Sequence, residues 1–208
     1  MTKKLTFAAA LVAFGTISGA AQAQTDWSGF YSGLSYSDTN GAGIFGPPAN
    51  IPGTASATQL GSFSGYNFQN GNWVYGGELA IQAGSGNLNV PAAPHQGTGI
   101  EVITDLKARL GYTYNNFLFY ATVGASSDVI ASDSPLSLNP YVLTATVGTN
   151  FGVGAEMKFD NGMFVGLEYL ARDLTGDFGV FDPSFAPFIS GPFTLQNESV
   201  SVRVGWQF

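Results

Sequence analysis

The sequence predicts an all-β fold: an eight-stranded antiparallel up-and-down β-barrel that crosses a membrane. Three observations carry that expectation. Eight segments alternate apolar with small or polar residues, as period-2 strands do. The connections between them are short and long by turns. The last segment, SVSVRVGWQF, alternates without a break to the aromatic Phe208. Composition agrees, because 28 glycines, 17 phenylalanines and 9 tyrosines with only 10% charged residues favour strands and turns over helices.

The chain opens MTKKLTFAAALVAFGTISGAAQAQ. Lys3 and Lys4, the apolar run from Leu5 to Ile17 and the small-x-small triplet Ala21, Gln22, Ala23 are the parts of a secretory signal peptide cut after Ala23. The run is shorter than the roughly 20 residues a spanning helix needs. The expected organisation is therefore a signal peptide at 1–23 and one barrel domain at 24–208. The chain has no cysteine, which excludes a disulfide framework and any thiolate metal or redox site.

The strands are expected at Phe30 to Ser37, Thr58 to Asn67, Trp73 to Gln82, Thr104 to Tyr114, Phe117 to Ser126, Asn150 to Phe159, Met163 to Arg172 and Ser199 to Phe208. Most are close to the roughly 9 to 11 residues that a tilted membrane strand uses. Short connections fall at QNGN (69–72), at Asn115 and Asn116, and at DNG (160–162). Asn and Gly suit tight hairpins because both accept positive φ. Long ones, at 38–57, 83–103, 127–149 and 173–198, are rich in Gly, Pro, Ser and Asn and read as four loops at the opposite end. In lipid a sheet must close on itself, so the last strand is expected to pair with the first.

Aromatics give a second test of the barrel. Tyr66, Trp73, Tyr75, Tyr112, Tyr114, Phe117, Phe119, Phe159, Trp206 and Phe208 all lie near a short turn or the chain end, on one face of their strands. They would form a girdle at one membrane interface.

Charge gives a third. Beyond the leader the only bases are Lys107, Arg109, Lys158, Arg172 and Arg203, and all sit in strands at positions alternating with the lipid-facing ones. Glu78, Asp105, Glu156 and Glu168 share that inward face, so a lumen ion network of four acids and five bases is expected. With 14 acids against five bases the secreted chain carries a formal charge of −9, and the excess is expected in the loops. Acidic loops exclude nucleic acid as a partner, since phosphates demand basic surface.

The remaining motifs are weak. GAGIFG (41–46) lies before Pro47 and Pro48 with no helix to receive a pyrophosphate, and His95 is a lone histidine in a proline-flanked loop. No catalytic, cofactor-binding or metal-binding set is expected. Phe178, Phe181, Phe185, Phe188 and Phe193 crowd the last long loop and read either as a contact surface or as rings folded over the barrel mouth.

DWSGFYSGL (26–34), GNWVYGGE (71–78) and the terminal GWQF resemble the small eight-stranded outer-membrane proteins, namely the opacity-type surface antigens and the transmembrane domain of OmpA-like proteins. The resemblance implies that Trp206 and Phe208 form the signal read by the barrel-insertion machinery of a Gram-negative-type envelope. It also implies residence in the cell outer membrane, with outer-membrane lipids as surroundings and an unknown extracellular ligand of the loops. The expected role is structural or surface-interacting, around a charge-paired and mostly closed lumen. A narrow porin-like channel is the alternative, followed by a lipid-modifying enzyme built on His95. The insertion reading predicts that deleting Phe208 lowers the outer-membrane yield while processed protein accumulates in the periplasm. Unchanged yield on fractionation would refute it.

Overall fold

A computed structural model describes residues 25–45, 50–90, 95–133, 141–181 and 189–208. The leader expected at 1–23 lies outside the described residues. Eight strands follow in chain order: β1 (Gly29–Phe45), β2 (Ile51–Asn70), β3 (Trp73–Val90), β4 (His95–Tyr114), β5 (Phe117–Asp133), β6 (Tyr141–Lys158), β7 (Met163–Phe181) and β8 (Ile189–Gln207). Each pairs antiparallel with its sequence neighbours, and β8 pairs with β1 to close the barrel.

Closure carries a stagger. Following partners around the ladder from Tyr31 leads through Gly65, Glu78, Lys107, Gly124, Asn150, Arg172 and Asn197 back to β1 at Gly41, ten residues beyond the start. That stagger is the shear of a cylinder whose strands tilt, and with eight strands it leaves an interior that side chains fill. Three tight turns close one end. Gly71 (φ 57°), Asn115 (φ 54°) and Gly162 (φ 81°) occupy the left-handed region at these turns, where Gly and Asn are the residues that fit.

The molecule is apolar outside and polar inside. Leu34, Leu60 and Leu106 are 69%, 70% and 62% exposed, whereas Glu78, Asp105 and Arg203 are 1% or less exposed. Exposed leucines at that level belong in hydrocarbon. At the turn end the expected girdle stands on the outer face, with Phe68 stacked on Tyr75 at 5.7 Å and Trp73 edge-on to Tyr112 at 5.3 Å. Inside that end, Trp27, Tyr31, Phe63, Val74, Leu118, Tyr120 and Phe164 form an apolar floor. Inward glycine makes room for these rings, since a Cβ on Gly205 would lie 2.8 Å from the Phe164 ring edge.

The long loops expected at 38–57, 83–103, 127–149 and 173–198 are corrected. Strands of 17 to 20 residues run through most of those segments, so the barrel rises well past the apolar belt. GAGIFG sits largely in β1, and His95 opens β4 opposite Val90. The physical reason is that a ladder satisfies the backbone whatever the side chains are. Here Ser, Thr, Asn and Gly keep the inward and outward alternation without the contrast in hydropathy. Protease added to intact cells should spare 38–45 and 51–57, which are paired strand. Cleavage mapped by mass spectrometry inside either segment would show that the ladder ends lower.

Candidate functional site

The lumen is where the sequence concentrates its chemistry, because every inward position above the floor must be filled within one narrow cylinder. Glu78 of β3 is its centre. Its Oε1 meets Lys107 Nζ at 2.7 Å and accepts from Arg203 Nη1 at 3.0 Å. Its Oε2 accepts from Arg203 Nη2 at 2.5 Å, Arg109 Nη1 at 3.1 Å and the Tyr31 hydroxyl at 3.0 Å. Glu168 takes Lys107 Nζ at 2.6 Å, Arg203 Nη1 at 2.7 Å and the Tyr120 hydroxyl at 3.1 Å. Glu156 takes Arg109 Nη2 at 2.8 Å, and its other oxygen lies 3.6 Å from Arg203 Nε.

These three acids and three bases balance. Aromatic faces seal them: the Arg109 guanidinium lies 3.9 Å from the Tyr120 ring centroid, and that of Arg203 lies 3.9 Å from Phe63. Cations over ring faces gain most where water is excluded. With Tyr31 on β1, Phe63 on β2 and Tyr120 on β5, the cluster draws on all eight strands.

A second tier sits nearer the mouth, the end opposite the tight turns. Arg172 clamps Asp105 through Nε to Oδ1 at 2.8 Å and Nη2 to Oδ2 at 2.7 Å. Ser126 donates to Asp105 at 2.6 Å, and Asn150 donates to Ser126 at 2.8 Å. The third Arg172 nitrogen, Nη1, donates to Ser199 at 3.0 Å. Above this pair lie Glu101 and Asp128, both buried. Over them Leu174, Phe193 and Leu195 form an apolar lid.

The structure thus brings together Glu78, Lys107, Arg109, Glu156, Glu168 and Arg203, with Asp105 and Arg172 beside them. Lys158 is corrected. It stands at the turn end, where Nζ donates to the Asp26 carbonyl at 2.6 Å and to Gln207 Oε1 at 2.8 Å, 5.7 Å from the Trp27 ring centroid. Alternation gave its direction, but its depth places it beyond the lumen. There it clips the segment before β1 across the barrel end. Asp26, in that segment, accepts from the Ser28 amide at 2.8 Å, and this bond holds its carboxyl below the ordinary range.

The charge tally is corrected as well. Among the described residues the lumen holds six acids and four bases, because Glu101 and Asp128 point inward on strand extensions read as loop. Alternation could have found them, since Glu101 continues the series Asp105, Lys107, Arg109, and Asp128 follows Thr122 and Ser126. Phe193, read either as a loop contact residue or as a ring folded over the barrel mouth, lies on β8 and is 1% exposed under the mouth. Phe178 and Phe181 lie on β7 opposite Thr144 and Tyr141, while Phe185 and Phe188 fall outside the described residues. Trp206 pairs with Met163 and Ser32 on the outer face, and the Phe208 amide donates to the Phe30 carbonyl at 2.9 Å. Among the described residues no three His, Cys, Asp or Glu side chains converge to hold a metal ion.

A closed eight-stranded barrel with an apolar belt outside and paired charges inside defines a small outer-membrane barrel protein. The chain belongs to the outer membrane protein beta-barrel domain family, whose model matches residues 8–208. It resides in the cell outer membrane. Over 181 residues it is 29% identical to a 22 kDa outer membrane protein of Rhizobium leguminosarum bv. viciae, covering 86% of this chain and 76% of that one. Among solved structures, it is similar to AlkL in DMPC lipid bilayers at a TM-score of 0.61, with 13% identity over 93% of this chain and 96% of that one. It is also similar to OprG from Pseudomonas aeruginosa at 0.59, with 12% identity over 87% and 96%. These likenesses show the fold.

Removing one partner from a buried ionic cluster strands the others, at a cost on the order of 3 to 5 kcal/mol. Arg203→Ala should therefore lower the unfolding temperature in detergent clearly, whereas Asp173→Ala, at an exposed position, should change the stability by no more than about half a kcal/mol and leave the unfolding temperature near that of wild type. Equal melting of all three proteins would show that the network contributes nothing.

Proposed function

We propose that this protein is a structural or surface-interaction barrel of the outer membrane whose lumen is shut and which performs no chemistry of its own. The observation that supports the reading most directly is Glu78, bound across the lumen to Lys107, Arg109 and Arg203 between the aromatic floor and the second tier. An ion passing through would have to break several short, charge-assisted contacts at once. General diffusion is further opposed by the width of an eight-stranded barrel.

The tight-turn end faces the periplasm, as short turns do in such barrels, and the tall end stands outside the cell. Above the belt the outer face presents Asp38, Asn40, Asp173, Asp177 and Glu198, all exposed and none of them basic. A stiff, acidic, ladder-built collar is suited to contact with a partner or with neighbouring lipid headgroups. In planar bilayers the wild-type barrel should show no large, stable openings. Stable conductance in wild type would replace this reading with that of a narrow channel.

A further inference from the structure

The two lumen tiers differ in charge. Three acids face three bases in the tier around Glu78, whereas Glu101, Asp105 and Asp128 share the upper tier with Arg172 alone. Arg172 is committed to Asp105 by two nitrogens and to Ser199 by the third. Two carboxyl groups are left over. Glu101 is 4% exposed and takes one donor, Gln59 Nε2 at 2.8 Å. Asp128 is 1% exposed, and among the described residues no donor reaches either of its carboxyl oxygens. Thr146, its neighbour on β6, gives its hydroxyl to the Asp128 backbone carbonyl instead.

The register brings these two groups together. Asp128 is opposite Ile103 and Glu101 is opposite Ile130, so the acids are diagonal neighbours on the inner face, within hydrogen-bonding reach of each other. Around them stand Gln59 of β2, Gln82 of β3, Thr146 of β6 and Asn197 of β8, all neutral, and the charged groups that act on the pair are Asp105 and Arg172. A dry carboxylate without a donor, facing a second carboxylate, does not stay charged; it takes up a proton.

We infer that Glu101 and Asp128 form a proton-binding site beneath the mouth, in which one carboxyl donates its O–H to the carboxylate of the other. The pair takes one proton from water and releases none, so the excess of the upper tier falls from two negative charges to one. The shared proton also supplies the donor that Asp128 otherwise lacks. A small cavity lined by Thr39, Ala57, Glu101, Leu195 and Asn197 adjoins Glu101. Because such a pair titrates as a unit, the proton belongs to both residues.

The inference rests on the closed lumen proposed above, because a water-filled lumen would solvate both acids. Infrared spectroscopy of the full barrel in detergent at neutral pH should show the C=O stretch of one protonated carboxyl per chain. That band should shift in heavy water and vanish in both Asp128→Asn and Glu101→Gln, with the heat-shifted gel mobility of a folded barrel confirming each variant. Absence of the band in wild type overturns the site, and so does its persistence in both variants. If wild type neither conducts nor shows the band, the site alone fails; if it conducts and lacks the band, the closed lumen fails with it. Calcium chloride against a chelator supplies the other arm. A rise in unfolding temperature with calcium in wild type that is lost in Asp128→Asn would assign the pair to a metal cation and overturn the proton.

Discussion

The backbone in hydrocarbon has nothing to bond but itself, and the rest of this molecule depends on that constraint. Hydrocarbon offers no water to an unpaired N–H or C=O, so a sheet in lipid survives only by joining its last strand to its first. Here the junction is the ladder from Tyr31–Gln207 to Phe45–Phe193. Once eight strands close with a stagger of ten residues, the width of the interior is set. Everything that points inward must fit that width.

A narrow interior could be filled with leucine, as in a soluble core, yet this one is filled with ions. Each ion taken from water costs several kcal/mol, so the cluster persists only where partners are numerous and close. Glu78 meets that condition with three cations and a tyrosine hydroxyl. Asp105 meets it with a two-point clamp from one arginine. Glu101 and Asp128 do not meet it with protein groups, and that asymmetry sets the mouth apart from the floor.

Much of this was legible in the sequence because direction is encoded by a period of two and nothing else. Alternation fixed which of Leu106, Lys107, Ala108 and Arg109 faces lipid, and the three Asn- or Gly-bearing turns fixed the hairpins at one end. What period two does not encode is depth. Lys158 has the inward parity of Glu156 but lies one step past the lumen, at the last residue of β6. The upper strands were lost for a different reason: with Ser, Thr, Asn and Gly on both faces the alternation is of small against small, so a paired strand has the composition of a loop. The partners within the network, such as Arg109 with Glu156 on β6, follow from the tilt of closure, which no local pattern records.

The inward charges also bear on which ladder forms. A strand apolar on both faces could slip by one residue without penalty, since either face would suit lipid, and its register would then be poorly specified. With Glu78, Lys107, Arg109, Glu168 and Arg203 on alternate positions, the same slip turns charges into hydrocarbon. For an Arg or Lys near the bilayer midplane that exposure costs about 2 to 4 kcal/mol each. Lys107 and Arg109 would turn out together if β4 slipped, and Arg203 would turn out if β8 slipped. The network that stabilises the closed barrel only modestly, once desolvation is counted, thus discriminates strongly against a one-residue slip of the strands that carry it, β3, β4, β7 and β8. This accounts for charge inside so narrow a barrel: it fixes one pairing among several that backbone hydrogen bonds alone would tolerate.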